Sequence, residues 1–98
     1  MDVPSTAQSR IALSLRTKTL LNILKEIEIN KNNSYIFLAE NTASTILRLT
    51  VREDYSHSEF EEIEKNLDFY CLAIFSENYQ WAREALGVLE KISSSTFD

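Results

Sequence analysis

The side chains of this chain that could carry out covalent or metal chemistry are few: one cysteine, Cys71, and one histidine, His57, in 98 residues. Paired, they would form a nucleophilic dyad, the imidazole drawing the thiol proton to leave a reactive thiolate. The spacing of Cys71 gives it another role. It stands on an apolar stripe between Leu67 and Ile74, and apolar surroundings keep a thiol protonated and inert. His57 falls in a helix-capping stretch, where a solvated imidazole is the ordinary state. Asp54 and His57 have the i,i+3 spacing of carboxylate-bundle metal sites, but such sites need a second pair and further glutamates on facing helices. Zinc wants about four ligands, usually in close pairs, and neither pattern is complete here. Glu59, Glu61, Glu62 and Glu64 could supply an acid and a base. They also crowd a predicted helix start, where the helix dipole favours negative charge. The expectation is therefore no catalytic, metal or cofactor-binding residues, and a protein that is not an enzyme.

Phosphate chemistry is constrained by the backbone. The chain has one glycine, Gly87, and one proline, Pro4. Phosphate-cradling loops and dinucleotide-binding turns depend on glycine for positive φ and close approach, so neither is expected. Arg10, Lys18 and Lys25 share one side of the predicted first helix, with Arg16 nearby, and phosphate-binding faces are built this way. A nucleic-acid-binding regulator using these four residues is the alternative reading. Against it stand a net charge of −5, a sequence pI near 4.8 and the lack of a recognition motif.

The strongest positive signal is an excess of apolar surface. Residues 67–75 read Leu-Asp-Phe-Tyr-Cys-Leu-Ala-Ile-Phe, with Asp68 the only polar member. At about 100° per residue, Phe69 and Leu72 lie roughly 140–200° around a helix from Leu67, so one stripe cannot bury both faces. Tyr79 and Trp81 follow closely, and aromatic residues are enriched among interface anchors. A non-catalytic protein-binding module is expected: a small acidic adaptor, chaperone or inhibitor. Its contact residues would be Phe69, Leu72, Phe75, Tyr79 and Trp81, and its partner another protein or a second copy of the chain.

These residues must be positioned by helices. The first predicted segment runs over 5–30, opened by a capping box at Ser5-Thr6-Ala7-Gln8. Leu13, Thr17, Leu20, Leu24 and Ile27 recur at spacings of 3 and 4, within a narrow arc. Lys31-Asn32-Asn33-Ser34 reads as a turn, since Asn tolerates left-handed angles and Asn or Ser can cap the next helix. Segment 35–52 has two readings. As a helix, Ile36, Ala39, Ala43, Ile46, Leu47 and Thr50 line one face. As a hairpin, Leu47, Leu49 and Val51 alternate with polar residues at period two, although no glycine serves the loop. The third segment opens with a capping box at Ser56…Glu59 or Ser58…Glu61, and buries Phe60, Ile63, Leu67, Tyr70, Cys71 and Ile74. After a Ser76-Glu77-Asn78 turn, the fourth places Ala82, Ala85, Leu86, Leu89 and Ile92 on one face. Residues 93–98 read as a frayed tail.

Segment 67–92 resembles a helical hairpin of the tetratricopeptide type. Tyr79, Ala82, Leu86 and Leu89 match the spacing of that repeat's second helix. Tyr70 stands where the repeat has a small residue, and the closing proline is missing, so the resemblance implies packing geometry alone. In size, charge and helicity the chain is also similar to small bacterial secretion chaperones, antitoxins and immunity proteins.

The totals agree with this organisation. A chain of 98 residues is expected to form one small domain, 1–98, with short tails at 1–4 and 94–98. The fold class is all-α, a three- or four-helix antiparallel bundle, with an α+β form carrying a central hairpin at 35–52 as the alternative. No apolar run approaches the roughly 18 residues that span a bilayer, and residues 1–10 lack the pattern of a secretory signal. The lone Cys71 leaves no internal disulfide, so a reducing, cytoplasmic setting is expected. Charge is uneven: residues 1–52 sum to +3 and residues 53–98 to −8. Such an asymmetry suits halves that face each other, halves that each face a different partner, or two ordinary solvated faces.

Overall fold

A computed structural model describes residues 6–94. They form four helices and no strand: α1 (Ala7–Asn30), α2 (Asn33–Val51), α3 (His57–Phe75) and α4 (Tyr79–Ser94). Each helix packs against two neighbours, in the ring α1–α2–α3–α4–α1. The connections are short, which forces antiparallel neighbours and an up-down-up-down four-helix bundle. The hydrogen bond from Tyr70 Oη to the Leu20 carbonyl, 2.8 Å, crosses the core diagonal from α3 to α1.

The 35–52 ambiguity resolves as a helix, and the hairpin alternative is overturned. Ala39, Ala43, Ile46 and Thr50 are buried, with Ile36 and Leu47 packed beside them. The period-two pattern has no structural counterpart, because Leu49 and Val51 are exposed while Leu47 turns inward. The β-branched threonines that make this segment look strand-like are absorbed within helices. Thr45 and Thr50 donate their hydroxyls to the carbonyls of Asn41 and Ile46, 2.8 and 2.7 Å away. Thr17 does the same to Leu13 in α1, at 2.8 Å.

The caps refine the sequence reading. Thr6 caps α1, its hydroxyl accepting from the Ser9 amide; the expected Ser5 cap lies outside the described residues. Ser56 and Glu59 form the capping box of α3, which selects the first of the two candidate boxes. The residues with positive φ in the two tight turns are Lys31 (φ 49°) and Glu77 (φ 56°). At the first turn the left-handed residue is thus lysine, and Asn32 takes the expected capping role for α2, accepting from the Ser34 amide at 2.8 Å. Ser93 and Ser94, expected in a frayed tail, are helical. Their hydroxyls donate back to the Glu90 and Lys91 carbonyls, while 95–98 and 1–4 lie outside the described residues.

One core holds the bundle together. Leu13, Leu20, Leu24 and Ile27 of α1 meet Ile63, Leu67, Tyr70 and Ile74 of α3, and Ala82, Leu86 and Leu89 of α4. The small residues Ala39, Ala43, Ala73, Ala82 and Ala85 let the helices approach closely. At one end, the α2–α3 connection is pinned to the first turns of α1. Asp54 accepts from the Thr6 amide at 3.1 Å, from the Thr6 hydroxyl at 3.3 Å and from the Ser9 hydroxyl. Tyr55 donates to the Ser9 carbonyl at 2.6 Å, and Arg16 grips Glu53 through two bonds of 2.6 and 3.1 Å.

Candidate functional site

The bundle leaves apolar side chains outside its core on the outer surface of α3 and α4. Phe69, Leu72, Phe75 and Trp81 are 46 %, 58 %, 63 % and 55 % exposed. The cause is local. The inward arc of α3 is filled by Ile63, Leu67, Tyr70 and Ile74, and Phe69 and Leu72 fall on the other side of the same helix. Trp81 stands one residue before the buried Ala82, which turns it outward.

Two clefts share Phe69. The first is a groove of about 260 Å³ between α3 and α4, lined by Asn66, Phe69, Trp81, Glu84, Ala85 and Val88. The second lies along α3, lined by Glu61, Glu64, Lys65, Asp68, Phe69 and Leu72. The structure therefore brings together three of the five predicted contact residues, Phe69, Leu72 and Trp81. Phe75 is exposed at the end of α3 but lines neither cleft. Tyr79 is half-buried and packs against the core.

Asn66, Glu84 and Val88 complete the groove and were not singled out by sequence. Trp81, Ala85 and Val88 follow each other at spacings of 4 and 3, a second apolar arc beside the buried one. Asn66 is buried, 6 % exposed. Its Nδ2 donates to the Glu62 carbonyl at 2.8 Å and weakly to the Glu62 carboxylate at 3.5 Å. Both partners are acceptors, which fixes the amide orientation. Oδ1 then accepts from no donor among the described residues.

The other candidates are taken apart by the geometry. His57 and Cys71 sit fourteen residues apart on the same helix, about 21 Å along its axis, so they form no dyad. His57 pairs with Glu61 at 2.7 Å on the surface. Burial pushes the Cys71 thiol up to about 11, with Glu40 and Asp68 adding to the effect. Among the described residues, no group of three or more histidine, cysteine or acidic side chains is placed to hold a metal ion, and Asp54 is occupied by Thr6 and Ser9. Of the four predicted phosphate-contacting residues, Arg16 is committed to Glu53 and Arg10 is half-buried. Lys18 and Lys25 remain exposed, two turns apart on α1. A further cleft of about 590 Å³ beside Thr6, Ser9, Arg16, Glu53 and Asp54 is lined by polar groups already bonded to one another.

No family model, curated protein or solved structure matches this chain. In the α3–α4 hairpin Ala82, Leu86 and Leu89 face inward after a three-residue turn. None of the described helices is long and apolar enough to cross a membrane.

Proposed function

We propose that this protein is a non-catalytic protein-binding module, a small cytoplasmic adaptor, chaperone or inhibitor that masks a partner with the outer face of α3 and α4. One observation carries the reading: Phe69, Leu72 and Trp81 line adjoining clefts while remaining about half exposed. None of the three belongs to the buried core. Contiguous apolar surface of this kind marks interaction sites in soluble proteins, and aromatic residues dominate interface energetics. A groove of about 260 Å³ falls below the roughly 300–1,000 Å³ of small-molecule sites. It suits the side chains of a partner better than a cofactor. The half-buried free thiol of Cys71 fits a reducing compartment.

The test compares the wild-type chain with a Phe69→Ala/Trp81→Ala double variant in capture from the native host, with circular dichroism to confirm retained helix. A protein held by the wild type and released by the variant supports the reading. A partner retained equally by both places the interface elsewhere and refutes it.

A further inference from the structure

We infer that the occupant of the α3/α4 groove is a basic amphipathic helix of a partner protein, which rests on the protein-binding reading above. The argument starts from charge. α3 carries five acids, Glu59, Glu61, Glu62, Glu64 and Asp68, against Lys65 alone. Glu64 and Asp68 flank Phe69 and Leu72 in one cleft, and Glu84 lines the other beside Trp81. None of these three carboxylates has an ion-pair partner among the described residues. The nearby base on α4, Arg83, is taken by Glu28 of α1. The apolar strip is thus edged by acids that outnumber Lys65, the base lining the same cleft, and complementary potential is what selects and orients a partner.

The same charges argue against a second copy. An isologous dimer through this face would set the acids of α3 against themselves, and like-charge juxtaposition disfavours association. The backbone argues for a helix. The described residues contain no strand, so there is no sheet edge to pair with an extended peptide. A helix satisfies its own backbone hydrogen bonds and lays apolar anchors at i, i+3/i+4 and i+7 into a groove between two helices. Asn66 sharpens the specificity. Its Oδ1 shares the groove lining with Glu84 and accepts from no protein donor among the described residues, so an anchor carrying an N–H or O–H group can donate to it there.

The probe is a displayed library of 18-residue amphipathic helices. Leu, Phe and Trp occupy the anchor positions, and Lys, Arg, Glu, Asp and Ser are mixed on the flanks. It is selected on the full chain and, in parallel, on the Glu64→Lys/Glu84→Lys variant. The expected result is enrichment of Lys and Arg flanks on the wild type, with the preference reversed on the variant. A selected basic peptide should shift the emission of Trp81, the only tryptophan, to the blue. It should bind roughly tenfold more weakly to the charge-reversed protein, and more weakly as salt is raised. Neutral or acidic flanks on peptides that still shift Trp81 overturn the basic-helix inference and leave the protein-binding face standing. Sedimentation showing a wild-type dimer broken by Phe69→Ala also overturns it, by making the occupant a second copy. If no helix is enriched, the inference fails; the protein-binding reading fails with it only when host capture is also unchanged in the Phe69→Ala/Trp81→Ala variant.

Discussion

Phe69 and Leu67 are two positions apart on α3 and should respond very differently to truncation. Fully burying a phenylalanine is worth about 1.5–3 kcal/mol. With Phe69 46 % exposed, roughly half of that, about 1–1.5 kcal/mol, is realised in the free protein. Alanine returns up to about 0.5 kcal/mol through its higher helix propensity. Phe69→Ala should therefore cost about 0.5–1 kcal/mol, a fall in Tm of roughly 2–8 °C for a chain of this size. Leu67 is 2 % exposed, and Leu67→Ala should cost about 2–5 kcal/mol because it leaves a cavity in the core. Thermal melts followed by circular dichroism measure both. If Phe69→Ala melts as early as Leu67→Ala, then Phe69 belongs to the core, and the reasoning that assigns it to partner contact is refuted.

Gly87 is exposed within α4, and nothing lies within 4 Å of where its Cβ would be; Gly87→Ala should add about 1 kcal/mol of stability, read as a higher Tm. Cys71, with its thiol pushed up to about 11, should react slowly with a thiol reagent at pH 8 and quickly once the protein is unfolded; rapid labelling of the folded chain would contradict its place on the stripe. The Ser9 hydroxyl, aided by the Thr6 amide, holds the Asp54 carboxyl below its ordinary value. The folded state therefore favours the carboxylate. This contribution is complete above the unfolded-state value near 3.8 and is lost as pH falls through the lower folded-state value. An acid titration of stability should show that loss, and Asp54→Asn should flatten it.

α1, α3 and α4 were legible because each has a dense apolar arc at helical spacing, and because acids and capping residues mark the start of α3. α2 was legible as one of two readings. The helical face Ile36, Ala39, Ala43, Ile46, Leu47 and Thr50 is the one found. Its small and β-branched members left a hairpin open, since packing by small size or by bonding back to the helix does not show in a hydrophobicity pattern. The turn at 31–34 was legible, but the residue that takes left-handed angles in it was not. Left-handed φ at Lys31 closes α1 with its amide on the Ile27 carbonyl at 2.7 Å, and that geometry depends on where the helix stops, not on the asparagines that follow. The surplus apolar face of α3 followed from the run 67–75, but the groove did not. Asn66 and Glu84 come together only when the α3–α4 hairpin closes, and Asn66 by type reads as a surface residue.

The charge asymmetry along the chain gains its meaning from topology. Up-down-up-down order sets α1 and α3 on opposite corners of the bundle, joined across the core by Tyr70 and Leu20. The bases of the first half concentrate on α1, and the acids of the second on α3. The helices beside α3 offer little relief. α2 holds Glu40 against Arg48, and α4 holds Arg83 and Lys91 against Glu84 and Glu90. The α1–α4 ion pair even uses an acid of α1, Glu28, and draws Arg83 away from the acidic side. Lys18 and Lys25 point outward from the far corner of a molecule 22 × 19 Å in cross-section, about two Debye lengths away at physiological salt. Intramolecular neutralisation of α3 is therefore left mainly to Lys65 and His57 of the same helix. Glu64 and Asp68 have no ion-pair partner among the described residues, and they stand along the same helix that displays Phe69 and Leu72.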